Sequence, residues 1–221
     1  RYLAAALVMA FAVPAMADTL TIGTASGGNH FPWGGHATTY TRDRFQQVYD
    51  SDEFSGPVTI TGISFTVYIE GEFQAADYEV RLSTSANDVN SLSSTFDDNV
   101  GSDDQLFDDF SLSGNPGSVG TAWTITGTGF AYDPTQGDLL LDVLVSNQGS
   151  SPSRRVYFDA MNGDANGLFS RMHDFGTNFD DWGLVTTFTY NTEVVPLPSA
   201  AGLGLVLLGG LAVVRRIRRR R

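Results

Sequence analysis

Apolar and polar residues alternate with a period of two along most of the chain, the signature of half-buried β-strands. Ala76, Tyr78, Val80 and Leu82 alternate with Asp77, Glu79, Arg81 and Ser83, which predicts a strand with a charged outer face. Val58 and Ile60 share one phase, and Ile63, Phe65, Val67 and Ile69 take the other, with Gly62 at the switch. A one-residue slip at a glycine predicts one long strand over 58–70, bent by a β-bulge. Trp123 to Thr126 reads as another strand. Leu139 to Val145 is nearly continuous in apolar residues, as expected of a central strand covered on both faces. Further strands are predicted over 105–112, 154–159, 167–172 and 183–190. Turn-rich runs at 113–117, 133–137 and 147–152 separate them. No stretch sustains a helical period, and no repeat of fixed length is visible. The expected fold is all-β: about eight strands in a single β-sandwich domain over 18–190, of the jelly-roll or immunoglobulin-like kind.

The two ends break this pattern. Residues 3–13 are an apolar run, followed by Pro14 and then Ala15-Met16-Ala17. A short apolar run before a small-x-small triplet predicts a secretory signal peptide over 1–17, its n-region truncated to one Arg, cleaved between Ala17 and Asp18. At the other end, 191–199 reads as a linker. Ala200 to Val214 holds 15 uncharged Ala, Gly, Leu and Val residues, a transmembrane helix about 22 Å long at 1.5 Å per residue. It is closed by Arg215, Arg216, Arg218, Arg219, Arg220 and Arg221, which the positive-inside rule keeps cytoplasmic. Pro196 and Pro198 bias their predecessors to extended backbone, so the segment before the helix is expected to be open to a processing enzyme.

Charge sharpens this division. The chain has no Lys and no Cys. Between Asp18 and Glu193 there are six arginines against all 25 acids, a net charge of −19. That body is a poor nucleic-acid partner, because phosphate contacts need surface cations. Without cysteine, disulfides, thiolate metal sites and Cys nucleophiles are excluded. With 42% hydrophobic and 12% aromatic residues, the chain can bury a core.

Val195-Pro196-Leu197-Pro198-Ser199, the apolar segment 200–214 and the Arg block 215–221 together resemble the PEP-CTERM class of bacterial sorting signals, most closely its VPLPA-CTERM variant. The variant usually has Ala where this chain has Ser199. The resemblance implies export through the secretion machinery, transient anchoring in the inner membrane of a Gram-negative bacterium, and cleavage near the motif by an exosortase. It also implies association with extracellular polysaccharide or biofilm matrix. The body, in residues 56–65, 91–98 and 133–142, is similar to a group of uncharacterised exported proteins with such tails, which implies a fold and no chemistry.

Candidate chemistry is sparse. Asn162, Asp164 and Asn166 alternate before Gly167, like the front of an EF-hand calcium loop, with Asp159 and Asp174 nearby. His173 stands where the bidentate Glu is needed, and a Gly/Asn-rich turn explains the run more simply. Asp97, Asp98, Asp103, Asp104, Asp108 and Asp109 crowd into 13 residues. Their mutual repulsion would attract divalent ions, although a solvated acidic loop accounts for them too. His30 and His36 flank a glycine-rich stretch, but no HExxH or GxSxG pattern supports a metalloenzyme or an acyl-enzyme, and no enzymatic activity is expected. Trp33, among glycines, and Trp182, after Asp180 and Asp181, are the candidates for stacking on a sugar ring; Trp123 is expected in the core. The reading is an exported structural protein of the surface or extracellular matrix. Its first alternative is a lectin-like carbohydrate-binding module, with calcium as its one candidate cofactor, and its last a secreted hydrolase.

Overall fold

The computed structural model describes residues 17–35, 43–163, 167–173 and 180–192. The signal-peptide core, the sorting motif Val195 to Ser199, the predicted membrane helix and the Arg tail lie outside these residues. So do His36, Asp164, Asn166 and Asp174. No helix among the described residues is long and apolar enough to cross a membrane.

The body is all-β. Twelve strands follow in chain order: β1 (Ala17–Ile22), β2 (Gly27–Asn29), β3 (Arg44–Tyr49), β4 (Val58–Ile69), β5 (Ala76–Thr84), β6 (Gln105–Leu112), β7 (Ala122–Tyr132), β8 (Leu139–Ser146), β9 (Tyr157–Met161), β10 (Phe169–His173), β11 (Gly183–Leu184) and β12 (Thr186–Thr192). Three short 3-10 turns are the only helical elements among the described residues. The strands form two antiparallel sheets. One runs β1-β12-β4-β9-β11, with β7 beside β4 and β2 beside β9; the other runs β10-β3-β8-β5-β6.

Local sequence explains much of this. In β5, Ala76, Tyr78, Val80 and Leu82 face the core, while the intervening polar residues face out. β8 is buried along both faces because it lies between β3 and β5 and has the 85–104 segment packed over its outer side. That segment brings Leu92 against Val48, Leu140 and Met172 in a second, smaller apolar cluster. Register in β4 shifts between Ile60 and Gly62, where the apolar phase changes. The bulge keeps both halves of the strand facing inward.

Several observed elements differ from those predicted. Residues 183–190 are two strands, β11 and β12, broken at Val185, whose N–H donates instead to the Asp159 carbonyl at 3.0 Å. The strand expected over 154–159 is displaced to 157–161, and β1, β2 and β3 were not expected. β3 carries Gln46 and Gln47, both buried, because each finds a partner inside. Gln46 accepts from Asn99 Nδ2 at 2.9 Å, while Gln47 bonds the Leu184 backbone.

The core lies between the sheets and is rich in rings. Trp33, Phe65, Phe73, Phe110, Phe158 and Trp123 stack or meet edge to face with centroids 4.9–6.2 Å apart, in the range of favourable aromatic pairs. At one side, β6 approaches β7, and Gln105 Nε2 donates to the Gly129 carbonyl at 2.8 Å. At the other, β10 approaches β11 and the loop before it. The candidate site forms there.

Candidate functional site

β10 is an edge strand, and an exposed edge demands a partner. The chain returns to supply one: the Arg171 N–H donates to the Asp180 carbonyl at 3.0 Å, and the Asp180 N–H donates back at 3.1 Å. This bridge holds Asp180 over Arg171. The guanidinium then donates from Nε to Asp180 Oδ1 at 2.6 Å and from Nη2 to Oδ2 at 3.0 Å, a paired geometry that suits Arg and carboxylate. Arg171 is 5% exposed, and its Nη1 is buried with no hydrogen-bond partner among the described residues. Two further groups converge on Asp180. His173 Nε2 lies 3.5 Å from Oδ2, and the Trp182 N–H donates to Oδ1 at 3.1 Å. Burial alone would raise the Asp180 pKa, but the bonds from His173 and Arg171, the guanidinium charge and the Trp182 amide together hold it at about 2.

The turn leaves Trp182 at the surface, 44% exposed, with the Arg171 guanidinium 5.5 Å from its ring centroid. That cation–π contact orients the indole. Behind it, His173 stacks on Phe31 at 5.6 Å, and Phe31 precedes the cis Phe31–Pro32 peptide. His30 packs against Phe31 at 4.7 Å and against Tyr157 at 5.0 Å. An exposed indole, fixed from behind by a cation and flanked by carboxylates, can stack on a ring-shaped ligand and accept hydrogen bonds from its hydroxyls.

Trp182 is therefore the predicted aromatic at the surface; Trp33 is not. Trp33 has 0% exposure, enclosed by Tyr78, Phe65 and Trp123, so it offers no face to a ligand. Its glycine neighbours mark tight packing rather than an open loop: a Cβ on Gly35, at φ +73°, would sit 2.1 Å from Gln74 Oε1. Trp123 is half-buried against the core, as expected.

The acidic run does not converge. Asp97 pairs with Arg44 at 2.6 Å, and Arg44 is also held by the buried Asp142. Asp104 holds Arg81. Asp103 accepts from the Thr84 N–H and hydroxyl at 2.8 and 2.7 Å. Asp98 accepts from Ser93 Oγ at 3.1 Å. Each of these four carboxylates has its own donor, and no group of three or more metal-ligating side chains occurs among the described residues. In the loop read as calcium-like, the Asn162 N–H donates to Ser26 Oγ at 3.0 Å, and Asp159 projects from β9. Ala17 and Asp18, the predicted cleavage pair, begin β1 and lie opposite Asn191 and Tyr190 of β12.

Arg171 was not among the residues singled out from sequence, and Asp180 entered only as a neighbour of Trp182. One signal for them existed. A body with six arginines places one inside the apolar run Leu168 to Met172, and a buried guanidinium must find a carboxylate.

No protein-family model matches the chain, and no curated protein matches it at a significant level. Two solved structures are distantly similar in fold. The clostridial cysteine protease Cwp84 after propeptide cleavage shares 10% identity at a TM-score of 0.45, covering 80% of this chain and 40% of that one. The cysteine protease and lectin-like domains of Cwp84, a surface layer associated protein of Clostridium difficile, share 10% identity at 0.40, covering 69% and 32%. The chain thus spans less than half of either structure.

Proposed function

We propose that this chain is the precursor of an exported structural protein of the bacterial surface or extracellular matrix. It is sorted through its C-terminal tail by an exosortase, and its body is a jelly-roll or immunoglobulin-like sandwich. The observation that carries the reading is the ordered set of terminal signals: the apolar leader ending at Ala17, then Val195 to Ser199, the apolar segment 200–214 and the Arg block. The body is consistent with it. Its first and last strands, β1 and β12, pair with each other and span Ala17 to Thr192, the interval between the two signals. The test is Pro196→Ala with Pro198→Ala in a host that carries an exosortase. Uncleaved protein should accumulate in the inner membrane, and normal processing would remove the sorting reading.

A second reading, carbohydrate binding by the body, is favoured by Trp182, an exposed indole held beside Asp180 and Asp181. Saturable binding on a glycan array, lost on Trp182→Ala, would support it. An array with no saturable ligand would leave the structural role alone.

A further inference from the structure

β9 presents a second surface, separate from the Trp182 edge. Phe158 and Ala160 point into the core, so Tyr157 and Asp159 share the outer face. On the neighbouring strand β2, Gly28 is the Cα partner of Asp159, and directly opposed residues point to the same face. Gly28 has no side chain to fill that place. The ring of Tyr68 fills it: a Cβ on Gly28 would lie 2.2 Å from Tyr68 Cδ1 and 3.0 Å from Cε1. Opposed Cβ positions are about 5 Å apart, so an aromatic ring that is part of a residue 42% exposed lies about one sugar-ring width from the Asp159 side chain.

Asp159 is unusual among the acids of this body. Its carboxylate makes no hydrogen bond or ion pair among the described residues, and burial raises its pKa. Arg44, Arg81 and Arg171 are each already held by aspartates. A half-buried carboxylate without a cation gains most from a ligand that brings one.

We propose that Tyr68 and Asp159 form a binding site for a cationic amino sugar, the ring stacking on Tyr68 and the ammonium pairing with Asp159. Gly28, which carries no Cβ, lets the Tyr68 ring lie against β2 on the Asp159 face. The net charge of −19 between Asp18 and Glu193 draws a cationic glycan in and repels a polyuronate, which favours a glycan with free amines over an acidic one. The proposal deepens the carbohydrate reading and rests on it, but uses residues distinct from Trp182.

The full chain, purified in detergent, would be titrated with a six-sugar glucosamine oligomer, its fully N-acetylated counterpart, and hexalysine. The glucosamine oligomer should bind saturably, and the other two far more weakly. Asp159→Asn and Tyr68→Ala should each weaken it roughly tenfold, with unfolding midpoints near wild type. Asp109→Asn, which removes the same charge from the exposed face of β6, should leave binding unchanged. Equal losses in Asp159→Asn and Asp109→Asn, or equal affinity for hexalysine, would reduce the effect to the general field and overturn the site. Equal affinity for the N-acetylated oligomer would overturn the amine requirement. Loss in Trp182→Ala alone, with both platform variants binding normally, would overturn this site and leave the Trp182 reading standing.

Discussion

Gln47 on β3 and Leu184 on β11 are joined as if they were paired strand residues. Gln47 Nε2 donates to the Leu184 carbonyl at 2.9 Å, and the Leu184 N–H donates to Gln47 Oε1 at 2.8 Å. A side-chain amide thus stands in for a peptide and carries the hydrogen-bond ladder from one sheet to the other. Its neighbours do the same. Arg171 reaches Asp180, and Tyr49 Oη lies 2.8 Å from Thr186 Oγ1. Burial pushes the Tyr49 phenol pKa up, with the Thr186 bond acting against that. Three polar side chains from β10 and β3 therefore join that sheet to the 180–186 segment, and one of them, Arg171, lies against Trp182.

Gln47→Leu keeps the volume and removes both bonds. It leaves the N–H of Leu184, which has 0% exposure, without its side-chain partner, while the C=O keeps the Thr186 hydroxyl at 3.0 Å; an orphaned buried group costs about 1–3 kcal/mol. The expected loss of stability is about 1–3 kcal/mol, read as a lower urea midpoint at an unchanged slope.

The opposite seam depends on shape. Phe107 of β6 lies flat against Gly127 of β7, and a Cβ there would meet the ring at 2.5 Å. Gly127→Ala should destabilise by about 1–3 kcal/mol through overpacking. Phe107→Leu added to that variant should recover part of the loss, giving a non-additive double-mutant cycle.

The strands legible in the sequence are those whose partners lie on one face only. β4, with its slip at Gly62, and β5, with its strict alternation, announce themselves because one side meets core and the other meets water. β8 was legible for the opposite reason, as an apolar run covered twice. β3 was hidden because its buried positions include two glutamines, and a polar residue reads as exposed until its partner is known. The partners of Gln46 and Gln47 come from Asn99 and Leu184, 53 and 137 positions away in sequence. The same distance effect concealed the site. Trp182 could be named from its neighbours Asp180 and Asp181, but the guanidinium that orients it belongs to another strand. Trp33 was misjudged because glycines mark close packing as well as open loops. Tyr68 and Asp159 belong to separate strands, brought together by the unfilled position at Gly28.

Asp180 gives the edge a defined acid limit. Its pKa is held at about 2, below the ordinary aspartate value of about 3.9. A carboxyl with a depressed folded pKa contributes stability that is complete above the unfolded value and lost as pH falls through the folded one. The bonds to Arg171, His173 and the Trp182 amide should therefore weaken between about pH 4 and pH 2. Trp182 fluorescence, isolated by subtracting the Trp182→Ala signal, should change across that window. Asp180→Asn, which never bears the charge, should abolish the transition; a transition that persists in it would assign the change to another carboxyl.

The β1–β12 ladder offers a test that joins fold to destination. Thr21 Oγ1 lies 2.7 Å from Thr187 Oγ1, and the two residues are Cα partners across the strands. A double variant, Thr21→Cys with Thr187→Cys, places two thiols at disulfide distance in a chain with no other cysteine. Such bonds form in the periplasm and outside the cell but not in the cytosol. If the body is exported and β1 pairs as observed, the protein recovered from its native location should migrate as the cross-linked species without reductant. That species should also be more stable to denaturant by about 2–4 kcal/mol. A variant that stays reduced when recovered, yet cross-links readily when oxidised in vitro, would uphold the pairing and refute export. One that fails to cross-link under either condition would refute the pairing itself.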